Sequence, residues 1–295
     1  MLSLQEAHAF LENKLSITNI EEKLKKNRFN LMREILYKFL HVEPFQNVIN
    51  LSTRPEDRHL PSFQEIKEDM FGERGGRCYV ANQFMKELLS TIGFDVFNCS
   101  CIVLKSGSNH VCLIVRHLTK AGDLHIIDVG LGHATWDPIP LDFQDESPVY
   151  HVGFLYFKFV RNGSVISRMH KHDKRYEFPG NIDSKAWHVF GEIDLTPREI
   201  DYFKPVCTAM YTIPGAHKSP FLEDLTLVKF ENEKIIAIKN STLLFENDNH
   251  QLEAEKIETF GELISVILDH FPNFSRDVIK AAIRSSPKCC NIFKM

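Results

Sequence analysis

The chain has 295 residues, which is enough for one large domain or for two or three small ones that share a core. Its apolar fraction of 43% and its charged fraction of 25% are those of an ordinary globular protein. The net charge of −4 is too weak to favour nucleic acid or a membrane surface as a partner, and we expect neither.

The first 95 residues predict mostly helix. Apolar residues recur at helical spacing between Phe29 and Leu40, and this pattern stops before Pro44. The segment 44–58 has turn residues and few periodic apolar positions, so we expect an ordered connection there. A second amphipathic pattern covers 79–92 and is followed by Gly93, a residue typical of a helix C-terminus.

The hydrophobic period changes to two between about residues 94 and 195. This alternation predicts strands that begin at His110 and at Leu124, and one further strand over 187–193. The dipeptide Asn162-Gly163 lies between two alternating runs and predicts a tight hairpin. Connections this short favour antiparallel pairing, so we expect a meander or a small antiparallel β-barrel.

The last hundred residues predict three short strands, at 225–230, 235–238 and 242–245, followed by two closing helices. The fold class is therefore α+β, with a helical bundle over 1–95, an antiparallel β-barrel over 96–200 and an α/β lid over 201–295. No linker rich in Gly, Ser or Pro separates these parts, so we expect three subdomains that pack together.

Cys78 has the most distinctive surroundings of the seven cysteines. It ends the run Arg74-Gly75-Gly76-Arg77-Cys78 and immediately precedes the helix predicted over 79–92. The positive end of a helix favours the thiolate over the thiol, and the two glycines permit a tight turn close to a substrate. Cys78 is therefore the candidate nucleophile.

His110 is the candidate base because it follows a Ser- and Gly-rich loop and opens an apolar strand. His117, His125 and His133 lie in the same region and remain alternatives, with His133 the nearest rival. Asp128 lies inside an apolar strand, where a carboxylate is costly unless it is paired.

A thiol, an imidazole and a carboxylate together predict acyl transfer through a thioester. The three residues leave open whether water or an amine takes the acyl group, so a thiol hydrolase or amidase stays an alternative to a transferase. A purely structural role for Asp128, in which backbone amides bind its carboxylate at the end of the strand, also stays open.

The other cysteines show neither a disulfide framework nor zinc-ligand spacing, so we interpret them as buried thiols and expect no metal. The N-terminus lacks the features of a signal peptide, and no apolar run reaches 18 residues. We expect a cytoplasmic protein.

Several motifs together resemble the arylamine N-acetyltransferase family. The run ending at Cys78, with Asn82 in the helix behind it, resembles the family's nucleophile motif. The segments 44–47 and 127–132 resemble its upstream Pro-aromatic box and its Asp-x-Gly-Phe-Gly segment. The stretch 212–221 resembles the entrance to its C-terminal lid, and the matches occur in family order.

The resemblance implies a fold with a cysteine-protease-like core and a ping-pong transfer from acetyl-CoA to an aromatic amine, hydrazine or hydroxylamine. In that mechanism Cys78 carries the acetyl group, His110 pairs with it and Asp128 orients the imidazole. The remaining roles are implied by position and concern the two substrates of a monomeric enzyme. The acceptor would contact Phe45, Leu131 and Phe221, and the coenzyme would contact Gly107, Ser108, Asn109, Thr212 and Ser219.

The chain departs from the family pattern close to the nucleophile. Gln46 replaces a Glu that could partner Arg74, Arg77 replaces an aromatic residue, and Val80 replaces Glu or Gln. Leu131 replaces a pocket Phe, and the loop before His110 is shorter than expected. These changes leave the acceptor range open, and they are the support for a third alternative, a binding protein with weak or no activity.

Overall fold

The computed structural model describes residues 1–104, 109–171 and 186–295, and these ranges contain both helices and antiparallel sheets. The α-helices in them are α1 (Leu4–Asn13), α2 (Ile20–Lys26), α3 (Arg28–Val42), α4 (Val48–Ser52), α5 (Phe63–Phe71), α6 (Cys78–Thr91), α7 (Lys204–Thr212), α8 (Phe260–His270), α9 (Arg276–Ser285) and α10 (Pro287–Phe293). The strands are β1 (Phe45–Gln46), β2 (Asp95–Val103), β3 (Asn109–Arg116), β4 (Leu124–Ile127), β5 (Ile139–Pro140), β6 (Tyr150–Val152), β7 (Leu155–Asn162), β8 (Val165–Lys171), β9 (His188–Arg198), β10 (Thr226–Glu231), β11 (Lys234–Lys239), β12 (Thr242–Glu246) and β13 (Leu252–Lys256).

The N-terminal helices begin where local side chains can bond the free backbone amides. Asn27 accepts a hydrogen bond from Asn30 N at the start of α3, and Ser62 and Glu65 form a capping box at the start of α5. Helix α6 packs its buried face against α1, α5, β2 and β3 in the largest hydrophobic core of the described residues. Burial on several sides fixes α6 in place, and its first residue is Cys78.

The larger sheet has eight antiparallel strands in the order β5-β4-β3-β2-β9-β8-β7-β6. Among the described strands, the edge strands β5 and β6 do not pair with each other, and the sheet is a curled half-barrel. The predicted antiparallel barrel is therefore confirmed only in part, whereas the predicted antiparallel meander is confirmed. One buried cluster joins side chains of strands far apart in this order, such as Ile114 on β3 and Phe157 on β7.

The second sheet has five strands in the order β1-β10-β11-β12-β13. Its first strand comes from the N-terminal part of the chain, because Phe45 pairs with Val228 and Gln46 with Leu227. Helices α4, α8, α9 and α10 contribute to the core that packs against this sheet. Residues 45–46 are thus joined to the C-terminal part of the protein.

Most of the predicted elements are confirmed within a few residues. The helical pattern between Phe29 and Leu40 forms α3, the second pattern forms α6, and the Asn162-Gly163 dipeptide joins β7 to β8. The predicted connection 44–58 is ordered, as expected, but it also contains β1 and α4. Strand β13 and helix α10 were not predicted.

All seven cysteines are free thiols, as expected. Cys99, Cys101, Cys112, Cys207 and Cys289 are buried, whereas the interpretation of Cys290 as buried is wrong because it is only half-buried. Among the described residues, no helix is both long enough and apolar enough to cross a membrane.

Candidate active site

The loop before Cys78 lies against the backbone of Pro44. Gly76 N donates a hydrogen bond to Pro44 O at 3.0 Å, and Gly75 has a positive φ of 61°. A Cβ atom on Gly75 would lie 1.9 Å from the same carbonyl oxygen. This contact requires glycine, and it explains why the tight turn before the nucleophile contains one.

Polar side chains hold the same loop from behind. Glu43 accepts a hydrogen bond from Gly75 N at 2.9 Å, and burial raises the pKa of its carboxyl group well above the ordinary value. Gln46 donates to Gly75 O at 3.4 Å, so its amide supports the loop without a charge. Arg74 pairs with Asp69 at 2.8 Å and does not need a carboxylate at position 46.

Cys78 is the first residue of α6, and no side chain caps this helix. The first backbone amides of a helix lack intrahelical acceptors and carry partial positive charge. The unfilled N-terminus therefore stabilises negative charge at Cys78, either on the sulfur or on an oxygen bound close to it.

Cys78, His110 and Asp128 form one hydrogen-bonded chain. His110 Nε2 lies 2.6 Å from Asp128 Oδ2, and His110 is also hydrogen-bonded to the Cys78 sulfur. Since Nε2 faces the carboxylate, Nδ1 is the ring nitrogen left to face the sulfur. His110 and Asp128 are almost fully buried, with 6% and 4% of their surface exposed.

The electrostatics of the three groups favour a thiolate–imidazolium pair. Burial raises the pKa of Cys78, but the charge and hydrogen bond of His110, the charge of Arg77 and the Val111 amide together lower it below its ordinary value. Burial lowers the pKa of His110, yet Asp128 and Cys78 raise it to about 10. Burial likewise opposes ionisation of Asp128, but His110, Asn82 and Gly130 hold its pKa below the ordinary value.

Asn82 connects α6 to β3, which bears His110, and to the segment directly after β4, which bears Asp128. Its amide nitrogen donates to Val111 O at 2.7 Å and to Asp128 Oδ1 at 2.9 Å, and its oxygen accepts from Val129 N at 3.1 Å. Sequence reasoning placed Asn82 in a motif but missed its role as a hydrogen-bonding link. The signal was its spacing, because a residue four after Cys78 lies on the same face of the helix.

Gly130 allows α6 and the end of β4 to approach closely. A Cβ atom there would lie 2.5 Å from Cys78 Cα and 2.7 Å from Asn82 Nδ2. No ordinary side chain fits between them, so the glycine two residues after Asp128 sets the distance between the carboxylate and the nucleophile helix.

The predicted acceptor residues Phe45 and Phe221 lie together, with ring centroids 5.7 Å apart. Gly132 is next to them, because a Cβ on it would lie 3.4 Å from the Phe45 ring. Leu131 is half-buried between Gly130 and Gly132. Sequence reasoning missed that the Arg77 guanidinium lies near this group, 5.2 Å from the Phe221 ring centroid.

The predicted coenzyme residues are described only in part. Gly107 and Ser108 lie outside the described residues, and only the backbone of Asn109 is described, at the start of β3. Thr212 ends α7 and donates to Thr208 O at 2.9 Å. Ser219 is buried, and its hydroxyl oxygen has no hydrogen-bond partner among the described residues.

The three rival histidines lie elsewhere in the fold. His117 is exposed at the end of β3, and His125 is buried against Phe29. His133 is buried, with its ring 4.8 Å from that of Phe190. His110 is therefore the histidine that the fold brings to Cys78, the candidate nucleophile.

A sequence model of the N-acetyltransferase family matches residues 29–273, which is most of the chain. Arylamine N-acetyltransferase 1 of Felis catus is 23% identical over 206 residues, covering 64% of this chain and 77% of the cat protein. Arylamine N-acetyltransferase 1 of Homo sapiens is 23% identical over 221 residues, covering 68% of this chain and 72% of the human protein.

Solved structures share the fold at low sequence identity. The Mycobacterium marinum arylamine N-acetyltransferase in complex with CoA has a TM-score of 0.74 and 15% identity, covering 93% of this chain and 98% of that one. The Salmonella typhimurium arylamine N-acetyltransferase has a TM-score of 0.73 and 18% identity, covering 96% and 98%. Together with the family match, these likenesses show that the chain belongs to the arylamine N-acetyltransferase family of transferases.

Proposed function

We propose that this protein transfers an acetyl group from acetyl-CoA to the nitrogen of an aromatic amine, hydrazine or hydroxylamine, by way of a thioester on Cys78. The observation that carries the proposal is the hydrogen-bonded chain of Cys78, His110 and Asp128 at the uncapped start of α6. Family membership supports the reaction class.

In the first half-reaction, the Cys78 thiolate attacks the acetyl carbonyl of the donor and a carbon–sulfur bond forms. The negative oxygen of the tetrahedral intermediate is stabilised by backbone amides at the start of α6. The intermediate expels the coenzyme thiolate, which takes the proton from His110. Acetyl-Cys78 and a neutral imidazole remain.

In the second half-reaction, the amine nitrogen attacks the carbonyl of the thioester. Neutral His110 removes the proton from that nitrogen, and the Cys78 thiolate leaves. The products are the acetylated amine and the original thiolate–imidazolium pair. Asp128 stays ionised throughout and keeps the imidazole in the orientation that serves both halves.

We assign the acceptor to the aromatic group formed by Phe45 and Phe221, with Leu131 beside it, because planar rings pack well against aromatic side chains. The coenzyme is assigned to residues 107–109 together with Thr212 and Ser219. The buried Ser219 hydroxyl without a partner supports this assignment, because a ligand atom could satisfy it. We further propose a cytoplasmic, monomeric enzyme that needs no metal.

Intact mass spectrometry after incubation with acetyl-CoA alone tests the intermediate. We expect one acetyl adduct on the native protein and none on Cys78→Ala. Cys290→Ala is the matched control and should keep the adduct, because Cys290 is the other half-buried thiol. Absence of the native adduct, or its survival in Cys78→Ala, would show that the proposal is wrong.

The rate at which coenzyme A is released, measured with and without an aromatic amine, tests the acceptor. A transferase releases coenzyme A in one rapid turnover and continues only when amine is present. If steady release were equally fast without amine, water would be the acceptor and the protein would be a thioester hydrolase.

A further inference from the structure

A cavity of about 80 Å³ lies beside the loop that precedes Cys78 (residues 74–77, here called the nucleophile loop), and neither Cys78 nor His110 lines it. Its walls come from α4, α5, α7 and the loop 58–61, together with residues 75–77. A cavity needs only about 10–15 Å³ of such volume to hold one water molecule. The space is therefore sufficient for a small ion of several atoms.

Arg77 lines this cavity and is 3% exposed. Its guanidinium donates to Asn50 Oδ1 at 2.8 Å and to Met210 O at 3.4 Å, and it lies 3.5 Å from the centroid of the Tyr211 ring. Within the described part of the chain, its Nε has no hydrogen-bond partner. Among the residues that the structure describes, no carboxylate lies within 4 Å of Arg77, so a buried positive charge lacks a counter-ion.

Arg58 is a second guanidinium in the same cavity without an acidic partner among the described ranges. It donates to Ser285 Oγ at 2.7 Å and to Thr53 O at 3.2 Å. Burial lowers its pKa, which is the response of a cation that lacks a compensating negative charge.

The acidic side chains of the cavity are already paired. Asp69 binds Arg74 at 2.8 Å, and burial raises the pKa of Asp69 to about 6. Glu65 binds His59 at 2.8 Å and also Ser62. Since His59 is exposed, it marks the side of the cavity nearest to solvent, where it adds positive charge when protonated.

We infer that this cavity binds a small oxyanion, of the phosphate or sulfate type, which serves as counter-ion to Arg58 and Arg77. A buried charge without a partner is destabilising, and a guanidinium presents its donors in the geometry that matches such an ion. The exposed side at His59 provides the route of entry.

The ion would also tune the nucleophile. Arg77 precedes Cys78 in the chain, and its positive charge is one of the influences that favour the thiolate. An anion bound beside Arg77 offsets that charge, so it should make the thiolate harder to form. This consequence concerns the sulfur itself and does not depend on which amine the enzyme acetylates.

The rate at which iodoacetamide alkylates Cys78, measured from pH 4 to pH 9 with peptide mapping, tests the inference. Sulfate is the probe because it keeps its charge over this range, and chloride holds the ionic strength constant. We expect sulfate to move the midpoint of the native profile upward by ~0.5 pH unit or more. The shift should vanish in Arg58→Gln and be partly retained in Arg58→Lys.

Arg54→Gln is the matched control, because Arg54 is an exposed arginine of the same segment that pairs with Asp57. It should behave as the native protein with and without sulfate. The inference is wrong if sulfate leaves the native midpoint unchanged, or if it shifts the midpoints of Arg58→Gln and Arg54→Gln equally, because the ion would then act elsewhere.

Discussion

At the scale of single residues, local chemistry in the sequence is enough to predict a candidate nucleophile, a candidate base and a candidate carboxylate. Cys78 stands out because glycines and a helix flank it, and Asp128 because it is a carboxylate in an apolar run. The prediction that Asp128 lies inside a strand is wrong, because β4 ends at Ile127 and Asp128 is the next residue. The partners of Asn82 and Arg77 could not be predicted in this way. Asn82 bonds residues 29 and 46 positions away, and Arg77 contacts Met210, so their roles depend on distant parts of the chain.

The first prediction concerns His110. Its imidazolium keeps Cys78 ionised at a pH below the ordinary thiol pKa, and the native rate of alkylation should fall only when pH drops through the lowered value. In His110→Gln the thiol should need a pH near or above about 8.5, so the rate at pH 7 should decrease ~10-fold or more. Iodoacetamide kinetics across pH measure the change.

His117→Gln is the control for this experiment, since His117 is exposed and lies outside the hydrogen-bonded chain. It should keep the native profile. An unchanged profile in His110→Gln would mean that His110 is not the partner of the thiol, and His133 would be the next histidine to replace.

The second prediction concerns Asn82 as a positioning residue. Asn82→Ala removes the donor to Asp128 and leaves buried polar atoms unsatisfied, which should destabilise the fold by ~1–3 kcal/mol. The misplaced carboxylate should also lower kcat ~10-fold to 100-fold and move the Cys78 alkylation midpoint upward. Urea unfolding and alkylation kinetics measure the two effects separately.

Gln83→Ala in the same helix turn is the comparison, because the Gln83 side-chain oxygen is buried and has no hydrogen bond to any described residue. It should leave the alkylation midpoint where the native protein has it. If the midpoint moved equally in both variants, Asn82 would contribute to packing only, and its role in positioning Asp128 would be wrong.

At the scale of elements, strong periodicity predicted α3, α6 and the β7–β8 hairpin, while short or polar elements were missed. Strand β1 has only two residues, and its pairing with β10 defines it more than its own sequence does. Strand β13 is mostly exposed and reads Leu-Glu-Ala-Glu-Lys, so alternation gives no signal there. The barrel prediction is confirmed only in part, because a local pattern does not report whether the two edge strands of a sheet meet.

The third prediction concerns the contact between α6 and the end of β4. Gly130→Ala places a methyl group 2.5 Å from Cys78 Cα, which forces the helix and the strand apart. We expect a loss of activity of at least ~100-fold and a lower melting temperature. Gly261→Ala in α8 meets open space and should be neutral or raise stability by up to ~1 kcal/mol. If both variants kept the native activity and melting temperature, the contact at Gly130 would not be needed for the geometry of the site.

At the scale of the whole molecule, hydrogen bonds join the segment around residue 47 to the C-terminal part of the chain. Asn47 is 1% exposed, and its amide donates to Phe221 O at 2.7 Å and to Asp224 O at 2.6 Å. Its oxygen accepts from Thr226 N at 2.8 Å. The sequence predicted three packed subdomains, but it gave no sign that one side chain near residue 45 would bond three backbone groups beyond residue 220.

The fourth prediction follows from this connection. Asn47→Ala should destabilise the protein by ~2 kcal/mol or more, seen as a lower urea midpoint with an unchanged slope, because buried polar groups lose their partner. It should also raise the KM for the aromatic amine, since Phe221 loses the bond that holds it beside Phe45. The alkylation profile of Cys78 should not move, because none of the hydrogen bonds described for Asn47 involves the three catalytic candidates.

Asn249→Ala, at an exposed turn, should change none of these quantities. A shifted alkylation profile with an unchanged KM would place the effect of Asn47 at the nucleophile loop and would contradict the acceptor assignment.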